Sequence, residues 1–164
     1  MTDSITRILV PVDFSAHSDR ALRYAASLAS EVGASVELLH VVEDPFRAGA
    51  FSSEVYPPNL PEVLEGLTAE AGRRLATIKD TMFPHGTDVV FTVIVGRPDR
   101  DIVEQAKAGG FDLIVMGTHG RTGFSHMLMG SVAERVVRMS PCAVLTVRGA
   151  ETPERHSAAP FRAA

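Results

Sequence analysis

The sequence predicts one α/β domain of the doubly wound, Rossmann-like type, a five-stranded parallel sheet with helices on both faces. Three observations carry this expectation. Five short segments are strongly apolar and β-rich, stretches with helical spacing separate them, and the strands run apolar almost without interruption, as strands covered on both faces do. At 164 residues one core suffices, since a chain of this size buries roughly two thirds of its unfolded surface. No internal repeat divides it.

In chain order the strands are expected at Ile8 to Val12, Ser35 to Val42, Val89 to Val95, Asp112 to Met116 and Ala143 to Val147. Leu22, Ala25, Ala29 and Val32 share one face of a first helix, and Gly33 stops it. Leu60, Leu64, Leu67, Ala71, Leu75 and Ile78 do the same for a second, with Asn59, Glu62 and a proline in the first turn as its capping signal. Val132, Val136 and Val137 read as one face of a last helix entered from Gly130. Two segments stand outside the alternation. Residues 44–59, "DPFRAGAFSSEVYPPN", form a long connection that suits a lid or a disordered insertion equally well. Residues 149–164 lack any period and are expected to be an unstructured tail without function, leaving 1–148 as the domain.

The bulk numbers exclude several classes of function. Sixteen basic against twenty acidic residues give a net charge of −4, and only Lys79 and Lys107 are lysines, so nucleic acid is not an expected partner. No apolar stretch approaches the roughly 20 residues of a membrane helix. No leader precedes Ile8, so the expected location is the cytoplasm. Cys142 is alone, follows Pro141 and is expected to be a small buried hydrophobe. The six histidines are dispersed, with none at metal-ligand spacing, so no protein-built metal site is expected.

In an open parallel sheet, ligands gather outside the carboxyl ends of the strands where the winding reverses. Two unusual segments follow strands here, "PVDFS" at 11–15 and "GTHGRTGFSHMLMGS" at 117–131. Placing them side by side favours the strand order 3-2-1-4-5. The rival order 2-1-3-4-5 would instead bring "VGRPDRD", 95–101, beside the first strand, and the residues alone leave both standing. Pro11 cannot donate to a ladder, so pairing is expected to end near Val10, with Asp13 facing the crevice. Asp13 suits a helix-entry cap shared with Ser15 and a ligand contact equally, and the two can coexist.

Gly117, Gly120, Gly123 and Gly130 permit positive φ and close approach of a ligand to the backbone. Their amides lead to a helix start, which attracts phosphate. Ser131 with Glu134 is also a capping-box pattern, and on the residues alone a cap is the safer assignment for Ser131. Arg121 is the loop's only positive side chain, and a solvated surface arginine explains it at least as well. His119 and His126 lie in the same loop, where histidines are more often exposed than catalytic. Phe124, Met127, Leu128 and Met129 either pack down as an anchor or meet a partner. There is no Gly-Lys-Ser/Thr and no G-x-G-x-x-G after the first strand, so phosphate binding must rely on backbone and hydroxyls.

With these residues assembled, the chain resembles the universal stress protein family over residues 5–148. Gly117, Gly120, Gly130 and Ser131 fit the G-x2-G-x9-G-S/T pattern of its nucleotide-binding members without insertion, while "ILVPVDFS" and "VGRP" look like its first strand and third-strand ending. The resemblance implies an adenine nucleotide, ATP or else AMP or ADP, between strands 1 and 4. Pro11, Val12 and Asp13 would bound the adenosine, and the backbone of Val41 would meet the adenine. Met116 and Gly117 would lie beneath the sugar and first phosphate. Gly120 and Gly130 would offer amides to the phosphates, and Ser131 and Val132 would complete the outer nest. His119 and Arg121 belong to the same cofactor-binding set. The family also implies the order 3-2-1-4-5 and a homodimer through the last strand, Ala143 to Val147, an apolar edge that needs cover. A site rich in binding groups and without a loop lysine or obvious general base suits a regulatory binding protein, with no catalytic residue assigned. Two alternatives are slow ATP hydrolysis or phosphoryl transfer, with Mg²⁺ held by the phosphates, Asp13 and Ser131, and a nucleotide-independent structural dimer.

Overall fold

A computed structural model describes residues 4–44, 59–118 and 129–148. The chain runs β1 (Arg7–Pro11), α1 (Ala16–Val32), β2 (Ser35–Glu43), α2 (Leu60–Met82), β3 (Val89–Gly96), α3 (Pro98–Gly109), β4 (Leu113–Gly117), α4 (Ser131–Met139) and β5 (Ala143–Val147). The strands form one parallel sheet in the order β3-β2-β1-β4-β5, which removes the rival order. Residues 45–58 of the expected 44–59 connection and the tail 149–164 lie outside the described residues, as do residues 119–128 of the glycine-rich loop.

Alternate side chains of the buried strands point to opposite faces, and each face builds a separate core. Ile8, Val10, Val36, Leu38 and Val115 pack with Ala21, Leu22 and Ala25 of α1 and Leu75 of α2. Leu9, Leu39, Ile114 and Met116 pack with Ile102 and Ala106 of α3 and Ala133 and Val136 of α4. The winding therefore reverses between β1 and β4.

The helices begin and end largely for local reasons. Ser15 is the N-cap of α1, its hydroxyl accepting from the Ser18 amide at 3.3 Å, and Gly33 closes the helix in the left-handed region at φ 71°. Asn59 occupies the N-cap position of α2 with a proline in the first turn, but its side chain makes no capping bond, so the expected capping signal is met in position only. In α4 the buried face is Val132, Ala133 and Val136, whereas Val137 is exposed. Val137 lies about 100° around the axis from Val136, and the sheet covers only one side of the helix.

Pro11 remains in β1, opposite Leu39, so pairing does not end at Val10 as expected. The Val12 amide donates to the Leu39 carbonyl at 2.8 Å, so even-numbered residues of β1 bond toward β2 and odd-numbered ones toward β4. The nitrogen of Pro11 thus faces β4, and the β1–β4 ladder stops at Leu9, on the side where Pro11 has no N–H to donate. At the opposite edge, Asp112 precedes β4 instead of opening it. Its Oδ2 accepts from Thr6 Oγ1 at 2.7 Å, the Thr6 amide at 2.8 Å and the Arg7 amide at 2.9 Å. The Thr6 hydroxyl first, and then the two amides, hold this carboxyl below the ordinary aspartate range.

Cys142 is half-buried against the α3/α4 core, with Sγ 3.6 Å from Ser140 Oγ. It is less enclosed than expected because it precedes the edge strand. Met129 packs against the same core, so this one member of the loop's apolar set anchors. Phe124, Met127 and Leu128 lie outside the described residues.

Candidate functional site

The carboxyl ends of β1, β2 and β4 and the amino end of α4 meet at one edge of the sheet. After Pro11 the chain leaves the ladder through Val12, whose carbonyl accepts from His40 Nδ1 at 2.6 Å. Asp13 is half-buried. Its Oδ1 accepts from the Ser15 hydroxyl at 2.6 Å and the Ser15 amide at 3.0 Å, so Asp13 supports the residue that caps α1 instead of capping the helix itself. Among the described residues Oδ2 takes no bond. Phe14, between them, adopts φ 63°, a left-handed conformation that aromatic residues rarely enter. Its ring lies 4.5 Å from the His40 ring, and the Arg74 guanidinium stands 3.8 Å over it.

This strained turn forms one wall of a cleft of about 290 Å³. Asp13, Phe14, His40, Val41 and Glu43 line it from the strand ends, and Leu67, Glu70 and Arg74 line it from α2. Of these, Asp13 is identifiable from the residues themselves and Val41 only through the family resemblance. Phe14, Arg74 and Leu67 are not, although His40 carries a visible signal as a polar residue inside "ELLHVV".

Beside the cleft, Met116 is buried and Gly117 ends β4. Gly117 does not use a positive φ. A Cβ placed on it would stand 3.1 Å from both the carbonyl carbon and the Cβ of His17, so the residue must be small for α1 to pack this closely. The Thr118 amide donates to the Val147 carbonyl at 3.0 Å, and the Thr118 carbonyl accepts from the Gly130 amide at 2.7 Å. This bond closes the neck of the loop. It also engages the Gly130 amide, which the resemblance had offered to a phosphate.

Gly130, at φ −72° and ψ 154°, is the N-cap of α4 and likewise avoids positive φ. Ser131 is therefore the first helical residue, not the cap, and its side chain makes no capping bond. The capping-box assignment fails because the cap position lies one residue earlier, where there is no side chain. The first intrahelical bond runs from the Glu134 amide to the Gly130 carbonyl at 2.9 Å. The amides of Ser131, Val132 and Ala133 make no hydrogen bond among the described residues, as expected of a first turn without a cap.

Pro11, Val12, Asp13, Val41, Met116, Gly117, Gly130, Ser131 and Val132 thus all stand at the carboxyl edge. His119, Gly120 and Arg121 lie outside the described residues, as do Gly123 and His126. Among the described residues no group of three or more histidine, cysteine or acidic side chains could hold a metal ion, and no helix is long and apolar enough to cross a membrane.

Comparison with known proteins agrees with this architecture. The sequence model described as "Universal stress protein family" matches residues 4–148. A universal stress protein of Methanocaldococcus jannaschii, MJ0577, is 32% identical over 152 residues, covering 87% of this chain and 94% of the relative. Its solved structure superposes with a TM-score of 0.78 over 91% of this chain and 99% of that one. Universal stress protein UspA from Lactobacillus plantarum, 30% identical, gives a TM-score of 0.69 over 88% of this chain and 98% of its own. A universal stress protein solved in complex with cAMP, 26% identical, gives 0.59 over 90% and 99%. By its matched sequence, its strand order and its fold, this chain belongs to the universal stress protein family.

Proposed function

We infer that this protein is a cytoplasmic regulatory member of its family that binds ATP at the carboxyl edge between β1 and β4. The observation that carries this reading is the uncapped start of α4, where the amides of Ser131, Val132 and Ala133 make no hydrogen bond among the described residues, beside the switch point. Such a helix end concentrates donors and the positive end of a dipole, and a phosphate satisfies both. The G-x2-G-x9-G-S/T spacing of Gly117, Gly120, Gly130 and Ser131 supports the same reading. So does the structural relative solved with cAMP, a ligand of that protein that contains adenine.

In this arrangement Pro11, Val12 and Asp13 bound the adenosine, and the main chain of Val41 meets the base in a cleft of about 290 Å³, which has room for it. Met116 and Gly117 underlie the sugar. The outer phosphates take the amides of Ser131 and Val132 rather than that of Gly130, which Thr118 already holds. Gly120, with His119 and Arg121, completes the set from the loop. Mg²⁺ arrives with the phosphates, and Asp13 Oδ2 and the Ser131 hydroxyl are the oxygens suited to it. AMP and ADP fill the same site with fewer phosphate contacts.

Binding is favoured over turnover because one oxygen of Asp13 is committed to Ser15 and the sequence offers no lysine in the loop. Occupancy then acts by changing shape or partners. β5 is a sheet edge whose Leu145 is exposed, which supports a homodimer through Ala143–Val147. Heat-denaturing the purified protein and weighing the released small molecules by mass spectrometry tests the reading, together with the thermal shift on adding ATP. Adenine nucleotide in the supernatant and a raised melting temperature are expected. Neither effect would leave the loop as a helix-entry scaffold and the protein as a structural dimer.

A further inference from the structure

The charges of "VGRPDRD", residues 95–101, have no part in the site described above. Arg97 precedes α3, and Asp99 lies in the first turn of that helix. Asp99 Oδ2 stands 3.3 Å from Arg97 Nη2 and 3.3 Å from Arg135 Nη1 of α4. One carboxylate oxygen thus serves two guanidiniums. The other acids nearby are committed. Asp101 Oδ2 accepts the Arg97 amide at 2.6 Å, and Glu134 pairs with Arg138 at 3.1 Å.

Arg135 lies one helical turn beyond Ser131, so the two share a face of α4. Side chains on a helix lean toward its amino end and cover the preceding turn. A side chain at position 135 can therefore extend toward the turn that carries the Ser131 and Val132 amides. Its side chain is 58% exposed and that of Asp99 is 18% exposed, so the arginine is the free partner and the aspartate the fixed one. Ion pairs at this exposure contribute little. A phosphate offers more charge and bidentate acceptors, and takes the guanidinium from a shared carboxylate.

Resting on the ATP site inferred above, we propose that Arg135 reads the outermost phosphate of the bound nucleotide while Asp99 holds it beside the nest until ligand arrives. Arg135 is then a specificity residue that selects a nucleoside triphosphate over a monophosphate, and Asp99 is a positioning residue that competes with the ligand.

Titration calorimetry of the full chain with ATP and with AMP, each with Mg²⁺, tests this. Arg135→Gln keeps a helix-forming side chain at an exposed position and is expected to fold. It lowers ATP affinity about tenfold, the worth of one charge-assisted hydrogen bond, and leaves AMP affinity within about twofold of wild type. Asp99→Asn releases the arginines and raises ATP affinity about threefold, which a mere staple between α3 and α4 would not do. Equal losses for ATP and AMP in Arg135→Gln, or an undiminished ATP affinity, would overturn the proposal while leaving nucleotide binding intact. A loss of ATP affinity in Asp99→Asn would overturn the positioning role. A wild-type chain that binds neither nucleotide would overturn the site and the proposal together.

Discussion

Replacing Gly117 by alanine separates packing from ligand approach at the end of β4. The new methyl would stand 3.1 Å from the carbonyl carbon and the Cβ of His17 and 3.2 Å from the His17 oxygen. Comfortable carbon contacts lie at about 3.5–4.0 Å, so the first turn of α1 must retreat by about half an ångström. It has little freedom to do so. Ser15 caps the helix, and Ala21, Leu22 and Ala25 are fully enclosed by the sheet. Overpacking of this kind costs about 1–3 kcal/mol. Alanine narrows the unfolded ensemble and returns about 0.5–1 kcal/mol, because the native φ here is one that alanine accepts. The net expectation is a loss of about 1–2 kcal/mol, or about 2–8 °C in melting temperature for a domain of this size. Urea unfolding without nucleotide measures it directly. An unchanged midpoint in the absence of ligand, with only ATP affinity reduced, would refute the packing argument and make Gly117 a ligand-approach residue alone.

Substitutions at three further positions probe the site, its support and the sheet edge. Phe14 holds φ 63°, so Phe14→Gly should be more stable than Phe14→Ala by about 1 kcal/mol, although both lose the His40 and Arg74 contacts; equal urea midpoints would deny the strain. Asp112 has a lowered folded pKa, so its stabilisation is fully present above the ordinary aspartate value of about 3.9 and is lost as pH falls through the folded value. Asp112→Asn should therefore destabilise the protein at neutral pH and flatten the acid limb of its stability curve, and parallel acid limbs would contradict this. Leu145→Arg on the exposed edge should convert a dimer into monomers in light scattering while leaving the circular dichroism spectrum intact; an unaltered dimer would exclude β5 as the interface.

What the sequence revealed was whatever is written locally or repeated with a period. The five strands and the stop at Gly33 belong to this class, whereas the residues alone leave the order that sets β1 beside β4 open and the family resemblance implies it. Single-residue placement at element ends was less legible. The pattern Ser131 to Glu134 reads as a capping box, but the cap falls on Gly130, because the Gly130–Thr118 bond sets where the chain turns into α4. Pro11 ends the ladder on one side only, because strand parity turns its nitrogen toward β4 while the Val12 amide still bonds to β2. Phe14, His40 and Arg74 meet from three elements, and Asp112 reaches Thr6 across 106 positions. No local pattern announces such pairings, since they arise only when register and helix packing are fixed together. Glycine spacing was visible, but its physical purpose at Gly117 became clear only with His17 beside it.

In the function proposed above, the amides at the start of α4, which make no hydrogen bond among the described residues, receive the phosphates. Amide chemical shifts followed by NMR as ATP and Mg²⁺ are added test it residue by residue. Ser131 and Val132 are expected to move most, while Arg7 at the opposite edge stays still. Saturating ATP that leaves Ser131 and Val132 in place, or that shifts residues only elsewhere, would contradict it.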